Sequence, residues 1–312
     1  MKKFTKLVLA ASVAFSANAM AMQSMDDAAL SATTGQDGIS IGIGISKIEI
    51  EKVFVHDNDG LDGTIDDAGA IYIKGNGNGV TATKGIVIGA NYDKGGAYLL
   101  PSKNLADLKI DSDAGGGNPF INVAAEVSGL DINIGEIGVV ASGEVPASTA
   151  ANIRRGGTGA ENAILTGLSV KTGPMSANIQ LGAAPQGAMI KLNATMVGGL
   201  TITDLGILDN STKTATRAAG VIHLDSIQVA DANSRNLALN QNISVIGEEG
   251  ADKGYLRVVS TSGAQDMYVK GIHLGSKTAA SIGDVEVQGM QTYFSPALNS
   301  YLPGAIITVK GH

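Results

Sequence analysis

Leu200-Thr201-Ile202-Thr203-Asp204-Leu205-Gly206-Ile207 is the stretch that decides the fold. Aliphatic side chains alternate with small or polar ones on both sides of a two-residue step. Because side chains on a β-strand alternate between its faces with period two, each half of the stretch indicates a short strand with one apolar face. The step resets this alternation, so it predicts a corner or a bulge that keeps both halves facing one core.

The same pattern occurs four more times along the chain. The other copies are Ile43–Ile50, Ile132–Val139, Ile222–Val229 and Ala280–Val287. Their intervals suggest a stack of repeated coils without fixing one constant period. The sequence therefore predicts an all-β fold, Gly-rich and β-solenoid-like or built as an elongated sheet. The alternative is a β-sandwich with long loops.

The first residues predict export. A basic start with Lys2 and Lys3, a short apolar run and the cleavage motif Ala17-Asn18-Ala19 are typical of a secretory signal peptide over residues 1–19. Ser24 and the acidic pair after it predict a short helical segment within residues 20–37. Residues 38–312 are predicted to form a single large β domain.

Composition narrows the possible partners. The chain has a formal net charge of −7, which disfavours nucleic acid as a partner. It has no stretch long and apolar enough to predict a transmembrane helix. There is no cysteine, so thiol catalysis and thiolate metal sites are excluded, and the fold is held without disulfides.

An acidic stretch follows the first strands. Asp57, Asp59, Asp62 and Asp66 are spaced around glycines, and several oxygens near a tight turn are what calcium prefers. The spacing does not fit an EF-hand loop. Asn58-Asp59-Gly60 is also a strong turn signal by itself, so a solvated hairpin turn explains the same residues. Calcium is therefore the one cofactor that the sequence suggests.

Catalytic patterns are weak throughout the chain. Gly38-Ile39-Ser40-Ile41-Gly42 has the letters of a nucleophile elbow, but it lies within a strand alternation. His223 and His273 share a local context and are expected at equivalent, outward strand positions. No histidine pair has zinc-ligand spacing, and no catalytic triad can be singled out. The sequence predicts a protein that is not an enzyme.

The start of the mature chain resembles a known family. Residues 25–41 contain a D-x-x-L-S-x-x-T-G-Q-x-G-I-S-I string, formed by Asp27, Leu30, Ser31, Thr34, Gly35, Gln36, Gly38, Ile39, Ser40 and Ile41. The string resembles the N-terminal module of exported bacterial pilus assembly proteins of the Fil type. These proteins are also similar in an acidic turn downstream, here Asp57-Asn58-Asp59-Gly60. The resemblance implies a role in a surface filament and carries no active site with it.

The Ile-rich first strand is the predicted assembly segment. Gly38, Ile39, Ile41, Ile43 and Ile45 form an apolar, glycine-containing stretch that could pair with a strand of a neighbouring molecule. The alternative is that this strand simply starts the core.

Three functions remain after these observations. The main prediction is an exported, non-catalytic surface or structural protein, a pilus-associated assembly subunit or an adhesin, located in the periplasm, on the outer surface or in a pilus. Its partners would be other cell-surface or pilus proteins, or a second copy of itself. The alternative is a secreted carbohydrate-binding module, for which Tyr293-Phe294 and Tyr301 are the best cluster, although core packing is expected for them. A solenoid hydrolase is the remote alternative, and it would need clustered carboxylates among Asp225, Asp231, Asp284 and Glu286.

Overall fold

A computed structural model describes residues 38–61, 63, 68–247 and 254–311. The strands in chain order are β1 (Ile39–Ile43), β2 (Lys47–Ile50), β3 (Val53–His56), β4 (Gly69–Lys74), β5 (Ile86–Ala90), β6 (Ala106–Asp113), β7 (Phe120–Val127), β8 (Leu130–Ile134), β9 (Glu136–Ser142), β10 (Gly157–Leu165), β11 (Leu168–Lys171), β12 (Met175–Gly182), β13 (Ile190–Met196), β14 (Leu200–Asp209), β15 (Gly220–Asp231), β16 (Leu237–Ile246), β17 (Tyr255–Ser260), β18 (Gln265–Leu274), β19 (Val285–Met290), β20 (Tyr293–Phe294), β21 (Leu302–Pro303) and β22 (Ala305–Val309). Helical turns occur only at Gly79–Thr81, Asp93–Gly96, Gly115–Gly117 and Asn210–Thr212 within the described residues. The all-β prediction is confirmed.

Two large antiparallel sheets contain most of the strands. Sheet 1 has eight strands in the order β1-β6-β7-β12-β13-β16-β17-β22. Sheet 2 has twelve, in the order β2-β5-β8-β11-β14-β10-β9-β4-β3, with β15 beside β14, β18 beside β15 and β19 beside β18. A small third sheet pairs β20 with β21.

The chain visits the two sheets in alternation. After β1 in sheet 1, strands β2 to β5 lie in sheet 2, β6 and β7 in sheet 1, and β8 to β11 in sheet 2 again. Strands β12 and β13 then lie in sheet 1, and β14 and β15 lie in sheet 2. Strands β16 and β17 lie in sheet 1 again, and β18 and β19 lie in sheet 2. In sheet 1 the spatial order therefore equals the chain order. This stepwise advance is compatible with a solenoid-like arrangement, and the choice between it and the sandwich stays a prediction.

Aliphatic side chains line up across the strands of both sheets. Directly paired residues in sheet 1 form the row Ile110, Val123, Ile179, Ile190, Ile243, Val258 and Ile307. The corresponding row in sheet 2 is Ile48, Ile88, Ile132, Val170, Ile202, Ile227, Val269 and Val285. Directly opposite side chains lie within contact distance, and each such pair contributes about 0.2–1 kcal/mol. These two rows are called the aliphatic ladders below.

A line of interrupted pairing, called the seam below, crosses sheet 2. It is formed by Gly135, Gly167, Asp204, Asp225, Gly271 and Gly283. Along this line the pairing between β14 and β15 skips one pair of residues, and the pairing between β15 and β18 also skips one. Asp204 has a φ of 64°, and Gly283 has a φ of 138°.

The predicted two-residue step corresponds to this seam in four of the five copies. Two of these steps contain a residue in a left-handed conformation, Asp204 and Gly283, and such a residue shifts which side chains point to which face. The copy at Ile43–Ile50 differs, because there the chain leaves sheet 1 and enters sheet 2 between β1 and β2. That copy therefore marks a change of sheet rather than a bend within one.

Fully buried apolar residues are few among the described residues. Ala70, Tyr72 and Val140 form one cluster, with Phe54 packed against it. The Tyr72 hydroxyl donates a 2.8 Å hydrogen bond to Glu136 Oε1, which satisfies its polar atom inside this cluster. The predicted boundary at residues 37 and 38 stays a prediction, and the predicted helix within residues 20–37 lies outside the described residues.

Glycine at position 135 is required by a close backbone approach. A Cβ at Gly135 would lie 2.1 Å from the carbonyl oxygen of Lys74. We expect Gly135→Ala to lower the free energy of unfolding by about 1–3 kcal/mol, since the backbone of β4 or β8 must move. The measurement is urea unfolding followed by far-UV circular dichroism.

Gly220→Ala is the matched control for this substitution. Gly220 lies in β15, and no atom outside its immediate chain neighbours would lie within 4 Å of a Cβ there. We expect this variant to be neutral or slightly stabilised, because alanine restricts the unfolded chain more than glycine does. Equal losses in the two variants would contradict a specific role for the close approach at Gly135.

Candidate functional site

The predicted assembly segment lies at one edge of sheet 1. Strand β1 is the end strand of this sheet, and on its inner side Leu105 N donates a 3.0 Å hydrogen bond to Ile43 O. Ile39 is 62% exposed and Ile41 is 40% exposed. Gly38 and Ile45, the other two predicted residues, are also exposed, and Ile43 is half-buried. An exposed apolar edge strand is a template for pairing with another strand.

Strand β22 is the opposite edge of the same sheet. It pairs with β17 on one side, and no described strand pairs with its other side. Ile307, the last member of the sheet 1 ladder, is 56% exposed, and Val309 is exposed as well. Both edges of sheet 1 therefore present aliphatic side chains together with unpaired backbone.

The acidic stretch forms the connection between β3 and β4. Asp57 N donates to Gly69 O at 2.9 Å, which extends the β3–β4 pairing by one bond. The backbone N–H of Asp59 lies 3.4 Å from Asp57 Oδ1, a turn contact of the expected kind. Asp62 and Asp66 lie outside the described residues. No group of three or more histidine, aspartate or glutamate side chains is placed to hold a metal ion in the described part of the chain, and calcium stays a prediction.

A histidine–carboxylate cluster, which the sequence does not single out, lies on the seam. His223 in β15 pairs directly with His273 in β18. His223 Nε2 lies 3.6 Å from Asp204 Oδ1 and 3.5 Å from Asp225 Oδ1, and His273 Nε2 lies 3.3 Å from Asp225 Oδ1. Lys277 binds Asp204 from the outer side. Two imidazoles, two carboxylates and one ammonium group thus meet at one point of the sheet.

The expected outward position is wrong for His223. Its side chain is only 2% exposed, and its Nε2 atom is buried without a hydrogen bond among the described residues. Its side chain lies among those of Asp204, Asp225 and His273. Its chain neighbour Ile222 is 46% exposed, so at this end of β15 the covered face is not the face that the apolar alternation marks. His273 is 13% exposed and its Nε2 atom is also buried without a hydrogen bond among the described residues, so the outward position is wrong for it as well. The two histidines lie directly opposite each other on neighbouring strands.

The two histidines have opposite pKa shifts. Burial lowers the pKa of His223 below its ordinary value of 6.5, and the nearby Lys277 charge lowers it further. His273 Nδ1 lies 2.6 Å from Ala279 O, and this hydrogen bond raises the pKa of His273, with Asp225 adding to the effect. If Nδ1 carries the proton, a neutral His273 turns a bare Nε2 toward a carboxylate, so protonation of Nε2 is favoured.

An open polar cleft of about 670 Å³ adjoins the cluster. Its lining mixes amide and hydroxyl side chains with apolar ones such as Ile134 and Leu168, and it includes the charged pair Asp204 and Lys277 beside His223. Strands on both sides of the seam contribute to it.

The four carboxylates that a hydrolase would need differ in their partners, although Asp225 and Asp284 both lie beside Gly271. Asp225 belongs to the histidine cluster. Asp284 accepts hydrogen bonds from Gly271 N at 2.8 Å and Tyr268 Oη at 2.6 Å, and Asp231 accepts from Ala238 N. Glu286 accepts from Gln288 Nε2. The carboxylates of Asp284 and Asp231 thus stabilise the local backbone by accepting hydrogen bonds from its N–H groups.

The aromatic residues near the C-terminal end are placed differently from the expectation. Tyr293 is 59% exposed and Tyr301 is 71% exposed, so core packing is wrong for these two side chains. Phe294 is half-buried and pairs with Leu302 in the small third sheet. A two-strand hairpin has too little neighbouring sheet to cover large side chains on both of its faces.

The opposite pKa shifts predict opposite pH effects of the two histidines. His223 has a lowered pKa in the folded state, so its contribution to stability is present above about pH 6.5 and is lost as the pH falls. His273 has a raised pKa, so its contribution is present at low pH and is lost as the pH rises through that pKa. We expect His223→Gln to reduce the loss of stability between about pH 7.5 and about pH 5.5, and His273→Gln to increase it.

Urea unfolding midpoints of the wild type and both variants, measured at the two pH values, check this prediction. His223→Gln and His273→Gln serve as controls for each other, because the residues are paired and differ in the sign of their shift. Two variants whose midpoints change with pH in parallel to the wild type would contradict it.

Comparisons with known proteins add one match. Residues 1–115 match the model of a protein family of unknown function, DUF6160. The match ends shortly after β6 and covers less than half of the chain. No curated protein and no solved structure matches the chain. None of the described helices is long and apolar enough to cross a membrane.

Proposed function

We propose that this chain is an exported, non-catalytic structural protein of the bacterial cell surface, which acts as a pilus-associated assembly subunit or an adhesin. The observation that carries the proposal is the pair of exposed apolar edges on sheet 1. Stacked β architectures normally cover their end strands or make them polar, because uncovered ends associate. Here Ile41 at one edge and Ile307 at the other are aliphatic and exposed.

Sequence features support the same proposal. The signal peptide over residues 1–19 directs the chain to the periplasm, the outer surface or a pilus. The N-terminal string resembles exported pilus assembly proteins, and the matched family of residues 1–115 spans both this string and β1. The partners are other surface or pilus proteins, including further copies of the chain. An acidic chain without cysteine suits an exported assembly that does not depend on disulfides.

A charge placed on β1 should prevent assembly. We expect the mature chain, produced without residues 1–19, to form filaments or discrete large oligomers, and Ile41→Lys to raise the concentration needed for assembly at least about tenfold. A lysine on an edge strand must lose its hydration when a second strand pairs there. Size-exclusion chromatography and negative-stain electron microscopy measure the result.

Ile153→Lys is the matched control. Ile153 is an exposed aliphatic residue in the connection between β9 and β10, outside every strand and outside both edges of sheet 1. This variant should assemble like the wild type. The same samples are compared with and without millimolar calcium, and an increase in assembly that Asp59→Asn abolishes would assign the Asp57–Asp66 loop to calcium. A wild-type chain that stays a compact monomer in both conditions would contradict the assembly function.

Binding of a carbohydrate is the second candidate function, favoured by the exposed Tyr293 and Tyr301. Exposed tyrosine side chains give flat apolar surface beside a hydroxyl group, which suits a sugar ring. We expect the double variant Tyr293→Ala, Tyr301→Ala to lose at least about tenfold in affinity for any polysaccharide that the wild type binds. Co-sedimentation with insoluble polysaccharides measures this, with the exposed Tyr92→Ala as control. Equal retention of all three proteins would exclude the hairpin as the sugar site.

A further inference from the structure

Strand direction makes the two edges of sheet 1 complementary. The hydrogen bond from Leu105 N to Ile43 O places the end of β1 beside the start of β6, so the rest of β1 can lie along β6 only if the two strands are antiparallel. All other neighbours in the sheet are antiparallel as well. With eight alternating strands, β1 and β22 run in opposite directions. A second copy in the same orientation would therefore place its β1 antiparallel to β22.

The side chains of the two edges match on one face of the sheet. Antiparallel pairing that continues from the Leu105–Ile43 bond places Ile41 opposite Asp107, so the two side chains lie on the same face of the sheet. In the interior this face is mainly polar, as in the paired row Asp107, Glu126, Ser176, Asn193 and Asn240. At the β22 edge the same face is apolar again, because Val259 pairs with Ile306. Aliphatic side chains on the polar face are thus concentrated next to the two free edges.

The two edge strands also match in length. Both β1 and β22 have five residues. Directly opposite residues must point to the same face, so Ile41 can be opposite Ile306 but not opposite Ile307. With Ile41 opposite Ile306, Ser40 is opposite Ile307, and Val259, Ile306 and Ile41 form one apolar strip across the junction.

We propose that β1 of one copy pairs antiparallel with β22 of the next copy, with Ile41 opposite Ile306. The contact joins two different surfaces of the same chain, so it is heterologous and produces an open chain of subunits rather than a closed pair. The backbone hydrogen bonds of the two edges supply the attraction, and the apolar strip sets the register. This inference rests on the proposed assembly function and names the partner and the contact that would produce it.

Cysteine cross-linking tests the contact directly, because the chain has no cysteine of its own. Ser40→Cys and Ile307→Cys are both exposed positions, and the register places them opposite each other. Opposite residues on antiparallel strands have Cα atoms about 4.5–5.5 Å apart, within the range of a disulfide. Mixing the two single variants under mild oxidation should give a mixed dimer, and the double variant should give a covalent ladder of increasing length.

The control pairs Ser40→Cys with Val245→Cys. Val245 is an equally exposed aliphatic position, but it lies on β16 in the interior of sheet 1. The yield of mixed dimer should be at least about tenfold lower for this pair, since no assembly contact raises the local concentration. Each variant is first shown by sizing in reducing buffer to assemble like the wild type.

The outcomes separate the contact from the function. If the wild type assembles and the Ser40–Ile307 yield does not exceed that of the control pair, the β1–β22 contact is wrong while the assembly function stands, with another surface joining the copies. If the wild type does not assemble and no cross-link forms, both are wrong. Preferential dimers of Ser40→Cys with itself would also overturn the contact, because they indicate a symmetric β1–β1 pair.

Discussion

Contact between aliphatic side chains on neighbouring strands is the interaction on which this fold depends. Few residues are fully buried in the described part of the chain, and several of those are small, such as Ala70 and Ala194. The two aliphatic ladders instead bury apolar surface along the sheets, one strand against the next. Each interior strand has two such neighbours and each edge strand has one. The sheet 1 ladder therefore ends at Ile307 in β22, which has an aliphatic neighbour on one side only.

The seam introduces a second constraint. A non-glycine residue with a φ of 64° is strained by about 1–3 kcal/mol, so Asp204 keeps this conformation only because the surrounding pairing imposes it. Its carboxylate is held by Lys277 and lies near His223. The bend at Asp204 thus brings charged groups together in the middle of a sheet. The backbone bend and the cluster of charged side chains therefore involve the same residue, Asp204.

The strand content and the bends could be predicted from the sequence because both leave a local pattern. Two further stretches, Ala163–Val170 and Met267–Leu274, fit that pattern and cross the seam as well. Counting alanine and methionine as apolar throughout would have found them, and with them the partner strands of the His223 region.

The order of strands within the sheets and the burial of His223 could not be predicted in this way. The alternation between two sheets depends on pairing between residues that are far apart in sequence, for which single-strand periodicity gives no signal. His223 is buried by side chains of neighbouring strands, and one of them, His273, is 50 positions away along the chain. A pattern of alternating residues assigns side chains to the two faces of a strand, but it does not show which face the rest of the protein will cover.

The sequential order of strands in sheet 1 has a consequence for folding. Each new strand is added beside the strand that precedes it within that sheet, and no strand has to insert between two that are already paired. The hairpins β6–β7, β12–β13 and β16–β17 close short loops and can form early, whereas each joint between two hairpins closes a longer loop across strands of sheet 2. Sheet 1 can therefore grow hairpin by hairpin as the chain is synthesised from its N-terminus. Growth of this kind leaves the first and the last strand of the sheet as its open edges.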